Sequence, residues 1–326
     1  MSDPATITDA PLLPRRPEGE EPRQFSHTHD GVTIVGFEWE GEGDPILLCH
    51  ATGFHARVWD EAVRAMPGRR VIALDLRGHG RSDNPTPPIN WRLITDDVVS
   101  LVDDLDLKNV VIVGHSMGGY TAAEVVLTRP ERFAALILVD PALISREQRK
   151  ARATAAAASA PAAAPGAEAP KRPNFDHIAR RRNEWASPDE MVERFASRFP
   201  FETWKPQVLQ DYAKYGLLPA PNGEGFVLAC PPEVEAGIYA GGGNKERGDI
   251  YPSLKEIKIP VRVLRARPAV PGEHAPQFTR STVTGELAAQ FEHGTDVVLP
   301  DLNHFIVMQA PNLTARHIMD VADAVS

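Results

Sequence analysis

The residue with the clearest chemical potential is Ser116, which lies in the G-x-S-x-G-G segment of residues 114–119. An apolar run precedes this segment, and a helix-like run follows it from 120 to 128. In that context the pattern predicts a tight strand-to-helix turn that pushes the serine hydroxyl out at the edge of a sheet. The N–H of Met117 then lies at a helix N-terminus, where it can stabilise a developing negative charge. The alternative is an ordinary glycine-rich turn.

A serine hydroxyl becomes a good nucleophile only when a base removes its proton, and histidine has the pKa for that task near neutral pH. His304 is the candidate base, because it follows the apolar run 297–299 in a loop at the predicted carboxyl edge of the sheet. Active sites of open α/β sheets gather at that edge. The sequence therefore predicts a Ser116–His304 pair.

The elements that must position this pair follow a strand and helix rhythm. Two strands joined by the Asp30-Gly31 turn come first, and later strands alternate with amphipathic helices, which predicts a mostly parallel sheet with helices on both faces. The predicted strands are 25–29, 32–39, 45–50, 71–76, 110–114, 134–140, 260–265 and 296–299, and the predicted helices are 57–66, 91–105 and about 312–325.

The strand rhythm stops between 144 and 257, which predicts an inserted, mostly helical cap. We expect a flexible leader over 1–23, a core formed by 24–143 and 258–326, and the cap over 144–257. Within the cap, the Ala/Pro-rich segment 151–170 predicts a mobile loop, with disorder extending to about 172, because it has few large apolar side chains and several prolines. Helices are expected over 175–186, 189–199 and 204–215, and a short strand over 223–229.

Four motifs make the chain resemble the α/β-hydrolase family, in the branch with a helical cap between the sixth and seventh strands. They are residues 50–54 (HATGF) with Trp59, residues 75–82 (DLRGHGRS), the segment around Ser116, and residues 303–305 (NHF). The resemblance covers most of 25–325 and is weakest in the cap. It implies an α/β-hydrolase fold with an eight-stranded, mostly parallel sheet, and turn-supporting roles for His50, His79 and His115.

The resemblance also implies a second oxyanion donor and an acid. Aligning His50 with the family pattern puts Thr52 at the donor position, with Gly53 and Phe54 as alternatives. The acid usually follows the seventh strand, where this chain has Pro268, which cannot orient an imidazole. Two substitutes are then open. Asp140 ends the sixth strand, a position that some family members use, and Glu273 lies in a loop that could bend back; a third reading has neither residue as the acid.

Composition excludes several classes of function. The 326 residues carry a net charge of −9 and show no basic stripe, so no nucleic-acid partner is expected. The cluster Arg180-Arg181-Arg182 lies near acidic residues and predicts a solvated helix face. Cys49 and Cys230 lie in apolar runs and are interpreted as buried, and no metal-ligand spacing occurs. No signal peptide or membrane span is predicted, so we expect a soluble cytoplasmic protein without cofactor or metal, with homo-oligomerisation left open.

The leading functional hypothesis is a serine hydrolase that cleaves a carboxylic ester or lactone in a small-molecule substrate. The same residues would also serve C–C bond hydrolysis of a diketone-like substrate, or cofactor-free perhydrolase or haloperoxidase chemistry. A hydrolase-fold protein that binds a ligand with little turnover is the non-enzymatic alternative. Eight cap aromatics are candidate pocket residues, although most are expected to hold the cap together: Phe175, Trp185, Phe195, Phe199, Phe201, Trp204, Tyr212 and Tyr215.

Overall fold

The structure is a computed structural model that describes residues 9–87, 89–159, 175–241, 249–270 and 278–326. Its main feature is an eight-stranded sheet in the order β1-β2-β4-β3-β5-β6-β10-β11. Strands β1 and β2 form an antiparallel hairpin, β2 pairs antiparallel with β4, and the remaining pairs are parallel. The strands are β1 Arg23–His29, β2 Val32–Trp39, β3 Glu42–Cys49, β4 Arg69–Asp75, β5 Val110–His115, β6 Phe133–Val139, β10 Val261–Arg265 and β11 Gly294–Val298. The predicted α/β class and sheet are confirmed.

Helices cover both faces of this sheet, because the central strands are apolar on both sides. In β3, Ile46 and Leu48 face one core cluster, and Leu47 and Cys49 face the other. The first cluster lies under α1, α9, α10 and part of the cap, and the second lies under α2 and α3. These helices are α1 Asp60–Arg64, α2 Trp91–Asp104, α3 Met117–Thr128, α9 Ile306–Gln309 and α10 Pro311–Val325.

The segment between β6 and β10 combines helices with a small antiparallel sheet. Its helices are α4 Arg146–Ser159, α5 Asp176–Ala179, α6 Pro188–Phe195, α7 Pro206–Tyr215 and α8 Pro232–Gly241. The three-stranded sheet β7-β9-β8 consists of β7 Glu184–Trp185, β8 Leu217–Pro219 and β9 Phe226–Leu228. The expected strand within 223–229 is present, whereas the helix expected over 175–186 is reduced to α5 followed by β7.

Two sequence expectations need correction. The mobile loop predicted from residue 151 is wrong as far as Ser159, where α4 continues. Alanine is the best helix former, and the first proline of this stretch comes only at Pro161. The rest of that prediction, 160–172, lies outside the described residues.

The flexible leader predicted for 1–23 is also wrong from residue 9 onward. The buried Arg16 side chain donates to the carbonyl of Met66 at 3.1 Å, and Asp9 accepts from the backbone N–H of Leu313 at 2.8 Å. These hydrogen bonds hold the N-terminal segment from residue 9 onward against the core. Residues 1–8 lie outside the described part of the chain. Cys49 and Cys230 are both buried, as expected, and across the described residues no helix has the length and apolar character to cross a membrane.

Candidate active site

Ser116 occupies the turn between β5 and α3 in a strained backbone conformation, with φ 54° and ψ −114°. A non-glycine residue with positive φ is uncommon and persists only where its surroundings enforce it. The enforcement is visible: Ser116 N–H donates to the Val139 carbonyl at 3.1 Å, and the Ser116 carbonyl accepts from Gly119 at 3.0 Å and Ala142 at 2.8 Å. The nucleophile candidate is therefore held by the ends of both β6 and α3.

Glycines around Ser116 permit the close approach of three backbone segments. A Cβ at Gly114 would collide with the carbonyl of Gly118, and a Cβ at Gly118 would collide with the carbonyl of Cys49 at the end of β3. A Cβ at Gly119 would lie 2.6 Å from the Pro141 side chain. The tight turn predicted from the sequence depends on the absence of these side chains.

His304 and Asp140 form a buried hydrogen-bonded pair. The Nδ1 atom of His304 lies 2.6 Å from Oδ2 of Asp140, and both residues are at most 3% exposed. The loop that carries His304 is fixed from two sides, because its N–H donates to the Phe278 carbonyl at 3.0 Å and its carbonyl accepts from Nε2 of His115 at 2.8 Å. With Nδ1–H donating to Asp140, Nε2 is the ring nitrogen left to accept a proton.

The Asp140 carboxylate accepts further hydrogen bonds from the segment after Phe278 and from the residue that follows β10. Ser281 donates through its hydroxyl, Thr282 through its N–H at 3.0 Å, and Ala266 through its N–H at 3.3 Å. Burial raises the pKa of Asp140, but the hydrogen bond and charge of His304, together with Ser281 and Thr282, outweigh burial and lower it below its usual value. The side chain is therefore an ionised acceptor at neutral pH.

Besides Asp140, the sequence leaves two alternatives for the acid: Glu273, or neither residue. Glu273 lies outside the described residues. Pro268, which occupies the usual family position, is exposed in the chain that follows β10. Asp140 is thus the described carboxylate that contacts His304.

The loop after β3 brings Thr52 to the Ser116 turn. The Thr52 hydroxyl lies 3.3 Å from the Met117 sulfur. The backbone N–H groups of the two alternative donors are engaged elsewhere, since Gly53 donates to Nε2 of His79 at 3.0 Å and Phe54 donates to the Ala51 carbonyl at 3.2 Å. Of the three candidates for the second oxyanion donor, Thr52 is therefore the better placed.

His50 and His79 support this loop from beneath. His50 accepts from the Leu76 N–H at 3.0 Å through Nε2 and donates to the Ala51 carbonyl at 2.7 Å through Nδ1. His79 accepts from Gly53 and donates to the Arg77 carbonyl at 3.0 Å. Burial lowers the pKa of His79 to about 4 and that of His50 well below its usual value, so both rings are neutral and can accept these bonds.

A cavity of about 190 Å³ opens above these residues. We call it the active-site cavity, and its walls are largely aromatic. Its lining comprises Ala51, Thr52, Gly53, Phe54, Ser116, Arg181, Pro200, Phe201, Trp204, Tyr212, Glu235, Tyr239, Phe278, His304 and Phe305. The structure thus brings Ser116, His304 and Thr52 to one cavity.

The lining corrects and extends the sequence interpretation of the cap. Of the eight cap aromatics, Phe201, Trp204 and Tyr212 line the cavity. Arg180, Arg181 and Arg182 are all exposed, as predicted for the arginine cluster, but they follow α5 and are not part of a helix. Arg181 also lines the cavity and lies 2.8 Å from Glu235 on α8, a residue 54 positions away that carries no local signal in the sequence.

Phe278 was also missed. Its ring stacks on His304 with the ring centroids 5.0 Å apart. Its φ of 69° is unusual for a bulky residue, so no propensity rule would place it there.

One protein-family model and several known proteins match parts of this chain. A family model described as alpha/beta hydrolase fold matches residues 44–215. The non-heme chloroperoxidase CPO-A1 of Kitasatospora aureofaciens is 38% identical over 101 residues, which cover 30% of this chain and 36% of that protein. An epoxide hydrolase of Caballeronia sordidicola is 32% identical over 128 residues, covering 38% and 39%. The matches thus span less than half the length of these relatives.

Solved structures match over a greater length at lower identity. The crystal structure of E-2-(acetamidomethylene)succinate hydrolase superimposes with a TM-score of 0.67 at 19% identity, covering 92% of this chain and 100% of that one. The enol-lactonase of Burkholderia xenovorans LB400 gives a TM-score of 0.58 at 19% identity, covering 91% and 99%. At this level of identity the similarity concerns the fold.

Proposed function

We propose that this chain, which belongs to the α/β-hydrolase fold family, is a serine hydrolase that cleaves a carboxylic ester or lactone in a small-molecule substrate. The observation that carries the proposal is the buried Asp140–His304 hydrogen bond of 2.6 Å, because His304 lines the same cavity as the strained Ser116. A base that is oriented by a carboxylate and lines the same cavity as a half-buried serine is the arrangement that activates a hydroxyl.

In the proposed reaction, Nε2 of His304 takes the Ser116 proton while the serine oxygen attacks the carbonyl carbon. The Asp140 carboxylate holds Nδ1–H and stabilises the imidazolium that forms. His304 then gives the proton to the leaving alcohol oxygen as the C–O bond breaks, which leaves an acyl group on Ser116. A water molecule, deprotonated by His304, attacks this acyl group and releases the acid.

The negative charge of each tetrahedral intermediate needs fixed donors. We assign this role to the backbone N–H groups of Met117, at the start of α3, and of Thr52. The engagement of Gly53 and Phe54 elsewhere supports the choice of Thr52. In other enzymes, losing one such donor costs about a hundredfold to a thousandfold in kcat.

The nucleophile assignment can be tested with a fluorophosphonate probe, which bonds covalently to activated serines. We expect the purified protein to be labelled and Ser116→Ala to lose the labelling completely. Ser82→Ala is a matched control, because Ser82 is a buried serine that bonds the Asp75 carbonyl away from the active-site cavity. Labelling that persists in Ser116→Ala would overturn the proposal. Initial rates on lactones and on a panel of p-nitrophenyl esters with different acyl chains would then define the acyl group that the site accepts.

The similarity to chloroperoxidase CPO-A1 favours a second candidate, perhydrolysis at the same serine. Hydrogen peroxide would replace water in attacking the acyl-Ser116, releasing a peracid that oxidises halide. Bromination of monochlorodimedone in acetate buffer with hydrogen peroxide and bromide tests this activity, because peracetic acid released from acetyl-Ser116 oxidises bromide to the brominating species. A bromination rate that is the same in Ser116→Ala and in wild type would exclude this route.

A further inference from the structure

A second cavity in the cap adjoins the active-site cavity. It has a volume of about 260 Å³ and shares Arg181, Phe201 and Tyr212 with the active-site cavity. We call it the cap pocket. Its other lining residues are Arg182, Trp185, Arg194, Phe195, Arg198 and Leu228. The two cavities are therefore neighbours, and a substrate bound at Ser116 would reach the cap pocket between these three shared side chains.

The cap pocket concentrates positive charge in a chain whose net charge is −9. Two of its four arginines have counter-ions: Arg181 lies 2.8 Å from Glu235, and Arg182 lies 2.6 Å from Glu190. Arg194 and Arg198 form no ion pair within 4.0 Å to any carboxylate in the described part of the chain. The pocket therefore presents two exposed guanidinium groups that form no ion pair of their own, and the charge of Arg194 also contributes to lowering the pKa of Glu190, whose first cause is the hydrogen bond from the Ala186 N–H.

Aromatic rings form the remaining wall of the cap pocket. Phe195 stacks on Phe201 with the ring centroids 4.4 Å apart, and Trp185 meets Phe195 edge-on at 5.3 Å. Arg182 lies over the Trp185 ring at 4.3 Å, which fixes this wall further. Such a surface accepts a hydrocarbon chain, and the planar fork of an arginine matches a carboxylate through two parallel hydrogen bonds.

The two cavities differ in the unpaired positive charge that their described lining residues offer to an anion. Glu235 lines the active-site cavity and not the cap pocket, and its Oε1 would lie 2.7 Å from a Cβ placed on Gly53. Because Glu235 pairs with Arg181, which lines the same cavity, the described lining of the active-site cavity offers no unpaired guanidinium group to hold an anion near the scissile bond. An anionic substrate would consequently place its charge at the end away from Ser116.

From this arrangement we infer that the cap pocket is a subsite for a distal carboxylate. The preferred substrate is then an ester or lactone whose acyl chain carries a carboxylate, bound by Arg194 and Arg198 against Phe195 and Phe201. This inference rests on the proposed function at Ser116, and it adds the class of substrate. It assigns Arg194 and Arg198 as specificity-determining residues.

The test compares two substrates that differ only at the distal end. These are the p-nitrophenyl hemiester of suberic acid and the same ester with the distal carboxylate replaced by a primary amide. We expect wild type to prefer the carboxylate by at least about tenfold in kcat/KM, since one charge-assisted hydrogen bond contributes about that factor. In Arg194→Gln/Arg198→Gln this ratio should fall about tenfold, mainly through KM.

Arg180→Gln is the matched control for long-range attraction. Arg180 is a neighbouring cap arginine that pairs with Asp176 at 3.6 Å and lines neither cavity. We expect it to keep the wild-type ratio. A ratio near one in wild type, or an equal fall in Arg180→Gln and the double variant, would overturn the inference. A preference for a matched phosphonate over the carboxylate would overturn the choice of anion.

A binding measurement separates this inference from the proposed function. Suberic acid monoamide is titrated by calorimetry into Ser116→Ala with and without the two arginine substitutions. If no ester is hydrolysed, the proposed function fails, but binding that the double substitution weakens about tenfold still supports the carboxylate subsite. Binding of equal strength in both proteins would refute the subsite whatever the activity.

Discussion

Replacing Asp140 with asparagine is the sharpest test of the proposed triad. Asp140 has a φ of 39°, and asparagine tolerates this left-handed conformation better than most residues, so the backbone should be retained. Five groups of the described residues contact the carboxylate, and all donate to it: Nδ1–H of His304, the hydroxyls of Ser281 and Thr282, and the N–H groups of Thr282 and Ala266. An amide has one acceptor oxygen, so its NH2 group must face donors whichever way it turns.

The size of the effect follows from this mismatch. If the NH2 group faces His304, the ring proton moves from Nδ1 to Nε2, and Nε2 can no longer accept the Ser116 proton. In the well-studied serine proteases the corresponding Asp→Asn change lowers kcat by about ten-thousandfold, or about 5.5 kcal/mol in the barrier. If the amide turns the other way, the ionic bond to His304 weakens by about 1.5–3 kcal/mol. We therefore expect kcat to fall by more than about tenfold in the second orientation and by up to about ten-thousandfold in the first.

The assay is steady-state hydrolysis of a p-nitrophenyl ester, normalised to the folded fraction measured by circular dichroism. Asp97→Asn is the control, because Asp97 is equally buried but forms a bidentate ion pair with Arg77 at 2.6 and 2.7 Å, outside the active-site cavity. We expect both variants to lose stability and only Asp140→Asn to lose turnover. If folded Asp140→Asn retains turnover within about tenfold of wild type, Asp140 is not the acid.

Two further predictions concern the scaffold around the site. Gly118→Ala should lower the free energy of unfolding by about 2 kcal/mol or more, because the new Cβ collides with the Cys49 carbonyl; an unchanged urea midpoint would contradict this role of the glycine. The second prediction concerns His79, whose pKa is lowered to about 4 by burial. Between about pH 6.5 and pH 4 this histidine therefore takes up a proton in the unfolded state but not in the folded state. The free energy of unfolding should fall as the pH drops through that window, by up to about 1.4 kcal/mol per pH unit. His79→Gln should flatten this decline, and parallel wild-type and variant curves would show that His79 does not contribute to it.

The sequence predicts the sheet and the Ser116 turn well because both depend on local patterns. Alternating apolar strands, glycines at fixed positions and a following helix are all visible within a few residues. The hydrogen bond from Arg16 to the Met66 carbonyl joins residues that lie 50 positions apart in the sequence. The pairing of Arg181 with Glu235 joins residues that lie 54 positions apart. Neither contact carries a local signal, so the sequence interpretation assigned Arg16 to a flexible leader and gave Arg181 no partner in the cap.

The unusual position of the proposed acid has a simple geometric explanation. Strands β6 and β10 are parallel neighbours, with Val139 opposite Leu264, so both strands end at the same edge of the sheet. The Asp140 N–H donates to the Leu264 carbonyl at 2.7 Å, and its side chain accepts from the Ala266 N–H directly beyond β10. A carboxylate from β6 thus reaches the place where a residue following β10 would otherwise stand, because neighbouring strands are only about 4.8 Å apart. Ser281 and Thr282 supply donors that keep this carboxylate ionised. Moving the acid between adjacent strands therefore leaves the partner of His304 in nearly the same place, and Pro268 after β10 is compatible with an intact triad.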